Sequence, residues 1–320
     1  MISIKDIQDA RERIAPHLRR TPCMPMRQTR DSRPFGGSVT LKLELLQAAG
    51  SFKARGAMNR LLCLSPEELG KGVVTASGGN HGLAIARSAH VLGVPATVYL
   101  PSNVVPDKVA KLATWGADVR IVGAVWDEAN EAALAHSKAT GATYAHPFSD
   151  PSVVAGQGTL GMEVLDDLPD VDVVLVAIGG GGLIAGLSTA VKALKPGVRI
   201  VGIEPTGSPT LHACLAAGRL VTLERLDTRV ATMSCRRTDQ AILDIVRRNV
   251  DDIVLVTDEE MEEAARWLWF EFGLAADLSG AAAVAALLTG RYRPPEQAQV
   301  CALVCGAGTD GTVAPSARNA

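Results

Sequence analysis

The chain alternates strand-like and helix-like segments almost throughout its 320 residues, and that alternation leaves few architectures open. A strand-like run, VTLKLE (39–44), is followed by a helix-like one, SFKARGAMNRLLCL (51–64). The short apolar run GVVTAS (72–77) leads into GGNHG and then a helical LAIARSAHVLG. ATVYLP, a helix over 107–114 and DVRIVG repeat the unit; VDVVLVAI, a glycine loop, LIAGLSTAVKAL and VRIVGIEP supply it again. Short Val- and Ile-rich runs separated by helical patterns predict an α/β fold of mainly parallel sheets flanked by helices. An aromatic content of only 4 % points the same way, because a β-sandwich core leans on Tyr and Trp. No fixed-period repeat or low-complexity tract interrupts the pattern.

Composition closes off several functions. With 47 % apolar and 21 % charged residues the chain is ordinarily globular. A net charge of -2 offers no basic surplus for gripping phosphate backbones, so no nucleic-acid partner is expected. The segment MISIKDIQDARERIAPHLRR has no apolar signal-peptide centre; its Ile7, Ala10, Ile14 and Leu18 follow helical spacing. An uncharged stretch over 173–191 reaches membrane-span length, but four glycines at its centre make it strand, loop and helix, so no membrane is expected. The six cysteines (23, 63, 214, 235, 301 and 305) form no CxxC and no Cys/His cluster, which predicts reduced thiols and a cytoplasmic location. The Pro-, Ser-, Asp- and Gly-rich segment HPFSDPSVVAGQGT (146–159) is expected to carry the chain between two lobes, and no regulatory module is expected after Gly311.

Ligands of open parallel sheets bind beyond the carboxyl ends of the strands, and four segments place unusual residues there. In Gly50-Ser51-Phe52-Lys53-Ala54-Arg55-Gly56, Ser51 is a candidate helix cap and Lys53 falls in the first turn. An ammonium at the positive end of a helix is disfavoured, which suits an amine that attacks carbonyls. In Ser77-Gly78-Gly79-Asn80-His81-Gly82, small residues at a helix start make a nest of N–H groups for a carboxylate or phosphate. Gly179, Gly180, Gly181 and Gly182 offer four unobstructed backbone N–H groups to a phosphate ester. Gly180, Gly182 and Ala185 also fit a dinucleotide fingerprint with Glu204 as the ribose acid, so an NAD-dependent oxidoreductase is the alternative of another class. The fourth segment is Cys305-Gly306-Ala307-Gly308-Thr309-Asp310, in which Cys305 either faces a ligand or is a small buried hydrophobe.

Taken together, from about Arg20 to Asp310, these segments resemble the fold-type II pyridoxal-phosphate enzymes, specifically the serine/threonine dehydratase and serine racemase family. KLELLQAAGSFKARGA resembles that family's Schiff-base lysine segment, and ASGGNHG its substrate-carboxylate loop; HPFSDPSVVAGQGT and the tetraglycine loop follow in the family's order. The resemblance implies a tryptophan synthase β-like, two-domain fold. Residues 1–48 and 148–320 would form the large cofactor-binding domain, and 49–147 a small mobile one. It implies pyridoxal 5'-phosphate on Lys53, with Phe52 backing the ring, Asn80 at the ring hydroxyl, and Gly179, Gly180, Gly181, Gly182 and Leu183 around the phosphate. Cys305 would stand at the pyridine nitrogen, where the family usually has serine. Ser77, Asn80 and His81 would hold the carboxylate of a small amino-acid substrate, and the subunits would form a homodimer or higher oligomer.

The implied activity is an ammonia-lyase that dehydrates and deaminates a β-hydroxy amino acid such as L-threonine or L-serine. Related alternatives are a 3-hydroxyaspartate or phenylserine dehydratase and a threonine synthase-like β-replacement enzyme; a non-catalytic amino-acid binding protein would leave Lys53 idle. Gly78 sits where racemases carry a serine that works on the opposite face, which predicts little racemisation. Leu45, Ala49, Ala307, Gly308 and Asp277 also depart from the family's usual residues, and they bear on which substrate fits. Some relatives bind a divalent cation through a Glu-Pro segment and an Asp six residues on; here Glu204 is followed by Thr210, and a lone carboxylate predicts no metal.

Overall fold

Aliphatic and β-branched runs become strands here wherever both of their faces can be covered. The computed structural model describes residues 2–27, 29, 30, 35, 37–104 and 106–312. Along the chain come α1 (Ile4–Ile14), β1 (Cys23–Pro25), β2 (Ser38–Lys42), α2 (Lys53–Leu62), α3 (Pro66–Lys71), β3 (Val73–Ala76) and α4 (Asn80–Leu92). Then follow β4 (Ala96–Leu100), α5 (Pro106–Thr114), β5 (Asp118–Ile121), α6 (Trp126–Thr140), β6 (Thr143–Tyr144), α7 (Pro151–Asp167) and β7 (Val173–Ala177). The rest is α8 (Gly182–Leu194), β8 (Arg199–Pro205), α9 (Thr210–Ala217), α10 (Gln240–Asn249), β9 (Asp252–Val256), α11 (Asp258–Phe272), α12 (Leu278–Leu288) and β10 (Gln299–Leu303).

Among the described residues the strands form two sheets, ordered β1-β2-β10-β7-β8-β9 and β5-β4-β3-β6. Every pairing is parallel except β1 with β2 at the edge of the larger sheet. VVLVA of β7 and VVTA of β3 are buried at every position, as interior parallel strands require. The edge strand β5, DVRI, is largely exposed and carries Asp118 and Arg120, charges that discourage further pairing. The largest core lies around the six-stranded sheet, with smaller clusters on both faces of the other sheet.

Three local expectations are corrected. The first helix stops at Ile14, two residues before Pro16, so Leu18 lies beyond it and is only half-buried. The segment 146–159 is mostly not a linker: Asp150 caps it, Pro151 opens it, and 151–167 form a largely buried helix. Its glycines serve packing, for a Cβ at Gly156 would lie 2.7 Å from the Arg55 carbonyl oxygen and one at Gly56 2.7 Å from that of Val153. Ser51 does not cap α2 either. Its backbone is extended and bridges Gly306, so the helix starts later, with Phe52 at the cap position. All but one of the residues after Gly311 lie outside the described residues.

Beneath α2 lies a ladder of buried charge. Arg55, 3 % exposed, binds both carboxylate oxygens of Glu44 (2.8 and 2.7 Å) and Glu163 (2.9 Å). Fully buried Lys42 donates to Glu163 and Asp167, each at 2.7 Å, and Arg20 closes the end of the ladder on Asp167. Arg20, Lys42 and Arg55 thus balance Asp167, Glu163 and Glu44, and the ladder ties α2 to β2 and α7.

Candidate active site

β3, β7 and β10 lead at their carboxyl ends into SGGNHG, the tetraglycine loop and CGAGTD; Cys305 and Gly306 of the last adjoin Phe52 and Ser51, just before Lys53. Lys53 is the first residue of α2. Its Nζ donates to the Pro147 carbonyl (2.8 Å) and lies 5.2 Å from the centre of the Phe52 ring. Dehydration lowers the ammonium from 10.5 to about 8, against weak opposing effects of Cys305 and Cys235. An amine so placed gives up its proton more readily than an exposed lysine does.

Two helix starts carry open backbone amides. Among the described residues no acceptor binds the backbone N–H groups of residues 179–184, which open α8, or those of Asn80, His81 and Gly82, which open α4. At α8, Gly181 has φ +92°, open chiefly to glycine, and Thr238 Oγ1 donates to the Gly180 carbonyl at 2.9 Å. A Cβ at Gly180 would overlap the Phe148 ring, and one at Gly182 would lie 2.8 Å from the Phe148 carbonyl oxygen. At α4, the N–H of Gly79 donates to Ser77 Oγ (3.3 Å), and Trp126 Nε1 donates to the carbonyl of Ala76 (2.8 Å), steadying the strand end. Open amides at a helix start suit an anion, through the backbone dipoles they end.

His81 is buried at 4 % exposure, and its Nε2 donates to the Ala145 carbonyl (3.0 Å), leaving Nδ1 without a partner. Burial, with Lys53 adding repulsion, drops the imidazole to about 3, so the ring is neutral, and the backbone N–H of His81 is among those left open at the start of α4. Asn80 Nδ2 donates to Asp277 Oδ2 at 2.9 Å. Cys305 is a buried neutral thiol whose Sγ donates to the Ser279 carbonyl (3.4 Å); burial raises it, and the nearby Asp277 raises it further. The Cys305 carbonyl in turn accepts the N–H of Phe52 (3.1 Å). Leu183 is buried beneath the glycine loop.

Lys53, the Phe52 ring, the Asn80 amide, the Cys305 thiol and the two amide nests suit a phosphorylated, planar aldehyde. The phosphate finds unclaimed donors at α8, and a flat ring finds Phe52 and small neighbours. A family model described as "Pyridoxal-phosphate dependent enzyme" matches residues 14–306. The chain belongs to that family. The L-threonine ammonia-lyase of Thermotoga maritima is 40 % identical over 288 residues, 90 % of this chain and 71 % of that one. A threonine deaminase from Solanum lycopersicum superposes with TM-score 0.89 at 32 % identity, over 97 % of this chain and 84 % of that one. Maize serine racemase does so with TM-score 0.91 at 32 % identity, over 96 % and 93 %.

As a pyridoxal-phosphate dependent enzyme, the chain has another use for Glu204 than a ribose or a metal ion. That fully buried carboxylate accepts the N–H groups of Leu211 (2.8 Å) and His212 (2.9 Å), so both oxygens serve the start of α9. Burial raises it to about 7 even though those amides pull the other way. Three participants escaped sequence reasoning: the Pro147 carbonyl, Asp277 as partner of Asn80, and the charge ladder under α2. Only Asp277 left a signal, an Asp before LSGAAAVAALL, and that reads as an ordinary helix cap.

Proposed function

We propose that this enzyme dehydrates and deaminates a β-hydroxy amino acid, L-threonine or L-serine, to a 2-oxo acid and ammonia. The observation that carries the reading is the dehydrated Lys53 amine, held near 8 and flanked by two unclaimed amide nests. The L-threonine ammonia-lyase relative supports the substrate class. When bound, pyridoxal phosphate supplies an aldehyde for lysine and an electron sink for the charge developing at the substrate Cα.

This chain's residues would do the rest. The N–H groups of residues 179–183 would hold the phosphate, and Phe52, Asn80 and Cys305 the ring. Ser77 and the amides of Asn80 and His81 would hold the substrate carboxylate and so orient its Cα–H bond. Lys53 Nζ, once released, would take the Cα proton, with the Pro147 carbonyl holding the amine in place. Cys305, a buried neutral thiol, would set no fixed negative charge beside the ring nitrogen, which would favour prompt loss of the β-hydroxyl over transamination.

The two sheets support a larger domain of residues 1–48 and 148–320 and a smaller one of 49–147, closing over the substrate. The reading extends to a cytoplasmic homodimer or higher oligomer; the free state of all six cysteines supports the compartment. The test is the visible spectrum of the purified protein, followed by borohydride reduction and peptide mapping. A yellow protein whose adduct maps to Lys53, and a Lys53→Ala variant at least about 10³-fold slower in 2-oxo acid release, are expected. A colourless protein that stays unlabelled with added pyridoxal phosphate would overturn the reading.

A further inference from the structure

The Asn80 amide is held from outside the nest in which it sits. Its Nδ2 donates to Asp277 Oδ2 (2.9 Å), while Asp277 Oδ1 accepts Ser279 Oγ (2.7 Å) and the Gly280 N–H (2.6 Å) at the start of α12. The backbone is cleared for this pair. A Cβ at Gly306 would lie 2.6 Å from Asp277 Oδ2 and 3.0 Å from Asn80 Nδ2, and one at Gly308 2.7 Å from the Asp277 Cβ. Two glycines of the CGAGTD turn are thus accounted for by room for a carboxylate and its amide partner.

We propose that Asp277 is a positioning residue for the cofactor, acting through Asn80. The inference rests on the cofactor role given to Asn80 above. Burial raises the Asp277 carboxyl, while three donors, from Asn80, Ser279 and Gly280, pull it the other way; with both oxygens accepting, the amide meets it through Nδ2. One N–H is then committed to Asp277, and the second is presented in a fixed direction to the ring oxygen. Asn80 opens α4 beside the smaller sheet and Asp277 caps α12 beside the larger, so the contact also ties the amide to the larger sheet's side.

The substitution Asp277→Asn reverses the pairing without removing the cap. Oδ1 of the new side chain is needed by Gly280 N–H and Ser279 Oγ, so its NH2 faces Asn80 and forces that amide to turn its oxygen outward. Pyridoxal phosphate is titrated into cofactor-stripped wild type, Asp277→Asn, Asn80→Ala and the double variant. Visible absorbance gives affinity and band position, and thermal melting checks the fold. A charge-assisted hydrogen bond is worth about tenfold or more in affinity. We expect at least that loss in Asp277→Asn, with a shifted band, and little further loss when it is added to Asn80→Ala.

Affinity within twofold of wild type, or an equal loss in the Asn80→Ala background, overturns the proposal. Wild-type protein that takes up no cofactor instead overturns the functional reading itself. If Asp277→Asn does not fold, Asp277→Ser keeps a capping hydroxyl, removes the carboxylate, and is read in the same way.

Discussion

Replacing Arg55 by Met keeps most of the side-chain volume and removes the charge between Glu44 and Glu163. Glu163 retains Lys42 at 2.7 Å, but Glu44, at 0 % exposure, keeps only the Thr21 hydroxyl at 2.6 Å. Breaking a buried pair by removing one partner costs about 3–5 kcal/mol, because the remaining charge stays desolvated. An unfolding entropy of about 2.1 cal/mol/K per residue gives roughly 0.7 kcal/mol/K for a chain of this length, so the melting temperature should fall by about 4–7 °C. Calorimetry on cofactor-free protein measures this directly. The double variant Glu44→Gln with Arg55→Met should recover at least half the loss, since it no longer strands a carboxylate. Arg55 lies two residues beyond Lys53 on the same helix, so the single variant should also bind pyridoxal phosphate less tightly. A melting temperature within 1 °C of wild type, with unchanged cofactor affinity, would refute the argument that the ladder anchors the lysine helix.

Two further outcomes follow from the site. Capture of the cofactor aldehyde needs the neutral amine, which is the form present above the Lys53 value of about 8, so the loading rate should rise with pH to a midpoint near 8; a stopped-flow midpoint above 10 contradicts the dehydrated placement. Gly78→Ser should introduce serine racemisation: the new Cβ meets Leu100 Cδ2 at 3.1 Å and Val104 Cγ2 at 3.4 Å, flexible tips that yield by tenths of an ångström. Chiral chromatography of product serine checks it, and brisk racemisation by the wild type would defeat the reasoning.

The parallel architecture was legible because β3, β7 and β8 are apolar on both faces and are punctuated by glycine. The lysine segment, SGGNHG and the glycine loop stood out because each is a local pattern of unusual residues, and the structure starts a helix at each. What stayed hidden depends on long-range partners. Nothing in KLEL or FKARG says that Lys42 and Arg55 leave water, since both meet Glu163, more than a hundred residues along. The helix over 151–167 was masked by three glycines that suggest a loop in isolation and reveal close helix crossing only once α2 and α8 are beside them. His81 shows the reverse limit: its place in the motif was plain, while the tying of its ring to the Ala145 carbonyl was not.

The five residues 145–149 carry a consequence of their own. The Ala145 carbonyl takes the His81 ring, the Pro147 carbonyl takes the Lys53 amine, and Phe148 fills the space that the glycines leave open. One short stretch of main chain is therefore the common ruler against which the Lys53 amine, the start of α4 and the glycine loop are all set. A displacement there registers at all three at once, and a change that spares every named side chain can still put the site out of alignment.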